Sequence, residues 1–279
     1  MSEHILYSLP PLVQATVLKR PSKSIKSPYV ADVILSNNTN ALAHSLSLGC
    51  KGLCDKDATV FLTSLNTIHK DDKPHCNYTI QFGFQDNVLV GVNPKLAEHI
   101  IHNALRNNLL PFLQNLTLIK REVSVFLDNH VDSRFDFGGY TSDNVPFLLE
   151  VKNVPLAFHI NAVPKDKKNF IPPPGTNPMH KIAVFPDGHK KHIDDPVSPR
   201  ALKHIRELTF LKKHTSARCL LCFVVQRHDA TTFELSATDP EYAEAVRIAV
   251  SVGVEVYAIF VRWSFEGHAY LHNILPITF

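Results

Sequence analysis

Residues 133–153 read SRFDFGGYTSDNVPFLLEVKN, and the rest of the chain is organised around them. The stretch predicts two strands, about 131–137 and 145–154, with Gly138, Gly139, Asp143 and Asn144 as punctuation between them. Side chains alternate faces along a strand, so Glu150 and Lys152 project to one side and Leu149 and Val151 to the other. If the two strands are neighbours, Asp136 comes beside Glu150. Two carboxylates and a lysine on one face suit a divalent-metal site. Hard oxygen donors bind Mg²⁺ or Mn²⁺ through one or two carboxylates, the remaining positions going to water and substrate phosphate. Such a metal polarises a phosphate and activates the attacking water. The competing reading is a surface ladder in which Glu and Lys are ordinary neighbours.

Outward from this stretch, the N-terminal side is rich in β-formers. VQATVLKR, YVADVILS, ATVFLTSL, CNYTIQFGF and NVLVGVN are short strand-like runs separated by NNTN, DKD, HKDDKP and QDN. About five strands without a helix predict a small barrel of OB type. Such barrels bind single strands through stacking and a basic groove, to which Lys19, Arg20, Lys23 and Lys26 would contribute. Pro94, with Asn93 at the cap position, starts an amphipathic helix, PKLAEHIIHNALRNN. The shift near residue 93 divides the chain into 1–92 and 93–279.

On the C-terminal side, residues 161–182 (NAVPKDKKNFIPPPGTNPMHKI) form a proline-rich excursion and GHKKHIDDP a second charged loop. AVFPD is a short strand. PRALKHIRELTFLKKH is a helix on which Arg200, His204 and Glu207 share a side. ARCLLCFVVQR is a continuous apolar run of the kind found in a central strand. DPEYAEAVRIAVSVG is a helix capped by Asp239, and GVEVYAIFVRWS and AYLHNILPI close as strands. This order is that of a restriction-endonuclease-like α/β core.

Composition narrows the class. The 279 residues are 44% hydrophobic with a net charge of +3, enough for one large domain or two ordinary ones and mildly basic. No apolar run spans a bilayer, and MSEHILYSLPPLVQ lacks a basic segment followed by an apolar core. The expectation is a soluble, intracellular, most simply cytoplasmic protein. Cys50 and Cys54, with His44, His69, His75 and Cys76 nearby, could in principle bind zinc, but lack a second tight ligand pair. Cys219 and Cys222 should point to opposite faces of a buried strand.

SRFDF, LLEVKNV, AVFPD, PRALKHIREL, FVVQRHDA, DPEYAEAV and GVEVYA, in that order, resemble the sugar fermentation stimulation protein A family, across almost the whole chain and most strongly from Arg121 onward. The resemblance implies an α+β / α/β fold: an OB-like barrel over 1–92, then over 93–279 a three-layer PD-(D/E)xK nuclease-type domain with a mixed sheet. It implies DNA binding, ahead of RNA, and a link to sugar metabolism. It implies a metal site at Asp136, Glu150 and Lys152, with Glu122, Arg134, Asp187, His204, Glu207, Gln226 and Arg227 in or near the same cleft. Departures from the family pattern gather in the barrel, where His44 to Cys50 reads HSLSLGC in place of an HxxNTGR-like loop. They also include Glu98 in place of an Asn.

The functional expectation is a Mg²⁺- or Mn²⁺-dependent nuclease. Asp136 and Glu150 hold the metal with Glu122 as a further acidic group, and Lys152 positions the water. Arg134, Arg200, His204, Gln226, Arg227, Lys19 and Arg20 face nucleic acid. The alternatives are a DNA-binding regulator that keeps the fold without turnover, and a scaffold whose loops contact a partner.

Overall fold

The period-two pattern around Glu150 becomes the middle of a seven-stranded mixed sheet. The structure, a computed structural model, describes residues 4–48, 50–65, 74–162, 177, 180–188, 190, 192 and 195–279. His69 and His189, most of the excursion at 161–182 and much of the segment at 188–196 lie outside the described residues. In chain order the elements are β1 (Ile5–Ser8), β2 (Val13–Lys19), β3 (Val30–Leu35), β4 (Asn40–His44), β5 (Thr59–Ser64), β6 (Tyr78–Gln85), β7 (Val88–Gly91) and α1 (Pro94–Arg106). There follow β8 (Leu116–Leu127), β9 (Val131–Thr141), β10 (Pro146–Val154), β11 (Ala157–His159), β12 (Lys181–Phe185) and α2 (Pro199–His214). The chain ends with β13 (Arg218–Val225), β14 (Ala230–Leu235), α3 (Pro240–Ser251), β15 (Glu255–Trp263) and β16 (His268–Pro276).

The barrel is closed. Its strands run in the order β4-β3-β2-β5-β6, and a parallel pairing of β4 with β6 joins the ends. This is the connectivity of an OB barrel, and β7 extends it as an extra strand on β6. Its interior is filled by Val17, Val33, Val60, Leu62, Ile80 and Val90.

The larger sheet has the order β1-β16-β15-β13-β10-β9-β8. Its centre, β10-β13-β15, is parallel. α1 covers one face, where Ile100, Ile101 and Leu105 pack on Phe147, Leu149 and Leu220. α2 and α3 cover the other, where Ile205, Leu208 and Val246 pack on Leu221 and Phe223. Each helix starts where its sequence says. Asn93, Ser198 and Asp239 each accept a backbone N–H of the first turn, and each is followed by Pro. Cys219 and Cys222 fall in the two opposite cores, as their spacing requires.

Three expectations change. Gly138 and Gly139 are not turn residues but lie inside β9, which runs on to Thr141. β8 passes so close that a Cβ on Gly139 would sit 1.8 Å from the Leu118 carbonyl oxygen. β1 is not part of the barrel, because it pairs with β16 at the edge of the larger sheet. A third, small sheet, β11-β12-β14, includes two strands absent from the sequence reading, β11 and β14, as is the barrel's β4. β14 shows mostly exposed and half-exposed side chains, so it lacks an apolar run.

Candidate functional site

β9 and β10 pair from Pro146↔Tyr140 to Leu149↔Phe137, and the ladder ends there. Beyond it the Asp136 side chain takes over, its Oδ2 accepting the Val151 N–H at 2.7 Å. β9 changes face at this residue: Phe135 packs with the α2–α3 core and Phe137 with the α1 core. Opposite, in β8, Glu122 has φ +54°, a conformation that non-glycine residues rarely hold. The strands therefore part at Asp136 and open a cleft of about 830 Å³.

The cleft is walled by several elements. Asp136, Glu150 and Lys152 form its floor; Glu122 and Arg134 lie on one side. Ser47 and Leu48 come from the barrel, Lys95 and Glu98 from the first two turns of α1, and Ser198 and Arg200 from the start of α2.

Glu150 is 2% exposed. Its Oε1 is contacted by the Lys152 ammonium and by His204 Nδ1. Its Oε2 is buried and has no hydrogen-bond partner. Burial by itself would raise the Glu150 pKa; the hydrogen bond from His204 and the charge of Lys152 outweigh it and hold the carboxyl below its usual range. Asp136 goes the other way. Burial, then the neighbouring Glu150 charge, push it up to about 7. One carboxylate is thus compensated on one oxygen only, and the other is held close to neutral by crowding. Both conditions are relieved by a cation between them. Such a cation would be held by Asp136 and Glu150, with its remaining positions left to water and substrate, since among the described residues no three His, Cys, Asp or Glu side chains gather as a metal cage.

The other predicted residues divide. Arg134 and Glu122 sit on the rim as an ion pair of 3.3 Å, each side chain about half exposed. Arg200 is exposed at the mouth. His204 does not face the cleft for a ligand; it lies behind Glu150, 4% exposed, and fixes that carboxylate. Glu207 points elsewhere, accepting the Asp132 N–H at 3.0 Å. Gln226 and Arg227 are each 0% exposed and leave the set of cleft residues. Gln226 donates to Asn153 Oδ1 at 2.8 Å and accepts from Trp263 Nε1 at 3.1 Å. Arg227 grips Asp229 with two bonds of 2.6 and 2.7 Å and reaches Pro155 O and Gln85 Oε1. Arg20 is spent on the barrel's own backbone, donating to Pro28 O and Ser47 O. Lys19 is exposed at the end of β2.

The sequence reading missed the second wall. Lys95 and Glu98 form an i,i+3 pair of 3.6 Å, with Arg121 3.3 Å from Glu98. Lys51 of the barrel pairs with Asp187. The first could have been found as opposite charges three residues apart near the start of a helix. The second joins residues far apart in sequence and had no local signal.

An OB-type barrel joined to a mixed α/β sheet with this cleft defines an architecture of barrel plus restriction-endonuclease-like domain. The family described as "Sugar fermentation stimulation protein RE domain" matches residues 95–267. This chain belongs to the sugar fermentation stimulation protein family. It is similar to the "Sugar fermentation stimulation protein homolog" of Geotalea daltonii, 28% identical over 98% of this chain and 99% of that one. The homolog of Synechocystis sp. is 30% identical over 95% and 96%. Among solved structures, "The structure of Pyrococcus Furiosus SfsA in complex with Ca2+" superposes with a TM-score of 0.75 at 19% identity, covering 99% of this chain and 100% of that one.

Proposed function

We propose that the cleft is a divalent-metal-dependent phosphodiesterase site of PD-(D/E)xK type that acts on nucleic acid. The carrying observation is the buried, partnerless Glu150 Oε2 beside an Asp136 that burial and like charge hold near neutrality. Asp136 and Glu150 would hold Mg²⁺ or Mn²⁺. When bound, the ion supplies positive charge to the scissile phosphate and acidifies its water. The Pyrococcus furiosus relative was solved with Ca²⁺, which favours the same oxygen donors.

The chain's own groups have separate tasks. His204 fixes the rotamer of Glu150 from behind. The Lys152 ammonium, already on Glu150 Oε1, is placed to orient a water or balance charge on a phosphate oxygen. The first turns of α1 and α2 both open on the cleft, with Lys95 and Arg200, and helix N-termini favour anions. Arg134 sits on the rim where a backbone would enter. Glu122 is committed to Arg134 and serves the rim rather than the metal.

The test is incubation of the purified protein with end-labelled single- and double-stranded DNA and RNA in Mg²⁺, Mn²⁺ or EDTA. Cleavage that needs the metal and fails in Asp136→Asn and Lys152→Ala supports the reading. Metal-dependent binding without cleavage by the wild type would make it a regulator built on the same cleft. Neither binding nor cleavage removes nucleic acid from the account.

A further inference from the structure

One wall of the cleft carries reactive chemistry that the proposed phosphodiesterase does not use. The barrel segment that supplies Ser47 and Leu48 continues into a turn holding Cys50 and Cys54. Both are free thiols, 2% and 0% exposed. They sit in one turn, which the Leu53 N–H closes on Cys50 O at 3.0 Å, and both side chains pack in the barrel core. Ser47 Oγ lies 3.2 Å from Cys50 Sγ, and Arg20 grips the same segment through Ser47 O. The cover is thin: Lys51, Gly52, Asp55, Lys56 and Asp57 around them are all exposed.

The geometry points to Cys50 and Cys54 as a dithiol that closes reversibly to a disulfide and, in closing, resets the barrel wall of the cleft. Two thiols four residues apart in one closed turn, buried in the same core, can draw in to an S–S bond of about 2.05 Å. The two partners are chemically unequal. The hydrogen bond from Cys54 holds the Cys50 thiol below the usual range against its burial, with help from Ser47 and the Arg20 charge, whereas Cys54 is held above it. Cys50, whose Sγ lies on Ser47 Oγ in the segment that Arg20 holds, is the attacking sulfur and Cys54 the resolving one. With a peroxide as oxidant, the Cys50 thiolate attacks one oxygen, the O–O bond breaks and hydroxide leaves as water, giving a sulfenic acid. Cys54 then attacks that sulfur, the S–S bond forms, and the sulfenic oxygen leaves as a second water. Two thiols and one hydrogen peroxide give one disulfide and two waters.

The movement has a direction. On the inner side the turn is packed hard on β6, where a Cβ on Gly83 would come 2.6 Å from the Leu53 carbonyl oxygen. That side cannot give. On the outer side stand Gly52, with φ +95°, and Lys51, whose ammonium pairs with Asp187 of the cleft and lies 5.5 Å from the Phe158 ring. Contraction of the turn therefore acts on Lys51, Ser47 and Leu48, the residues that meet the cleft. This inference does not depend on which reaction the cleft performs.

The experiment treats the full chain with limiting hydrogen peroxide, blocks remaining thiols with an alkylating agent and maps peptides by mass. The expected result is joint loss of the Cys50 and Cys54 thiols in one linked species lacking two hydrogens, restored by dithiothreitol, while Cys76 stays alkylated. In Cys54→Ser the sulfenic acid should be trapped by dimedone at Cys50; in Cys50→Ser no adduct should appear at Cys54. Hydrogen exchange over residues 44–57 and around Asp187 should differ between oxidised and reduced protein. Oxidation of Cys76 ahead of the pair overturns the proposal. A 50–54 disulfide that leaves exchange at the cleft wall unchanged overturns its coupling to the cleft.

Discussion

At the scale of single residues, Asp136 gives a test that separates a metal ligand from a structural carboxylate. Folded Asp136 keeps its proton to about pH 7, against an ordinary value of 3.8. Between these values the folded state binds more protons than the unfolded one, so stability falls as pH rises through the window and is level above it. Asp136→Asn cannot ionise and can still accept the Val151 N–H. In metal-free buffer at pH 8 it should be more stable than wild type by about 2 kcal/mol, discounted for its partial exposure, and equal to it near pH 4. With Mg²⁺ at a hundred times its dissociation constant, wild type should gain about 2.7 kcal/mol and the variant little. Urea melts at both pH values, with and without metal, check this; a variant weaker than wild type at pH 8 without metal contradicts it. Arg227 behaves in the opposite way. Arg227→Ala removes the bidentate partner of buried Asp229 and leaves Lys181 as its cationic partner among the described residues, so the fold should lose about 3 kcal/mol. The salt dependence of nucleic-acid binding by the folded fraction should not change. That Asp136, Glu150 and Lys152 line one cleft was legible, because alternation alone puts Glu150 and Lys152 on one face. Gln226 misled because its partners, Asn153 and Trp263, lie far away in sequence. Arg227 misled because a charge before a loop looks exposed, although its main partner, Asp229, is only two residues on and is buried with it.

At the scale of elements, the helices were the most readable parts. Asn93–Pro94, Ser198–Pro199 and Asp239–Pro240 are start signals that act locally, so the chain carries them in plain sight. Strands were readable where one face is buried and obscure at β14, where hardly any side chain is. The glycines of β9 were misread because a glycine needed for close approach and one needed for a turn look alike in sequence. Gly139→Ala distinguishes them. A turn glycine at negative φ would tolerate Ala, but here the new methyl group would meet the Leu118 backbone, which cannot rotate away. Loss of about 3 kcal/mol is expected, with β8 released from β9 and the rim pair Glu122–Arg134 disturbed. Denaturation curves and exchange protection along β8 measure both effects; a change under 0.5 kcal/mol, the roughly neutral range for surface substitutions, would contradict this close approach.

At the scale of the whole molecule, barrel and sheet share a core. Phe61, Phe82 and Leu89 of the barrel pack in one cluster with Leu96 of α1 and Trp263 of β15. Phe82 meets the Trp263 ring edge-on at 4.8 Å, and Gly91 N–H donates to Gln226 O. β1 crosses back to pair with β16. Trp263 is the single tryptophan of the chain, so its fluorescence reports this junction. The expectation is one cooperative transition in which tryptophan emission and far-ultraviolet circular dichroism coincide. An emission shift that precedes the loss of secondary structure would show the barrel leaving first. Sequence could suggest a boundary near residue 93 because composition changes there. It could not show the junction, whose contacts join residues near 82 to residues near 263.

The pairing of β11 with β12 has a practical corollary for protein engineering. Ala157↔Ala183 and His159↔Lys181 are ladder partners, and the Ile160 N–H donates to His180 O at 3.0 Å. Whatever chain joins residues 160 and 180 leaves and returns through one closed gate of hydrogen bonds. Loop closure grows only slowly with length, by about 0.6 kcal/mol for each doubling. A guest domain whose termini lie close together, such as a fluorescent reporter, should therefore be accepted between these two residues. The host's melting temperature should then remain within a few degrees of its own.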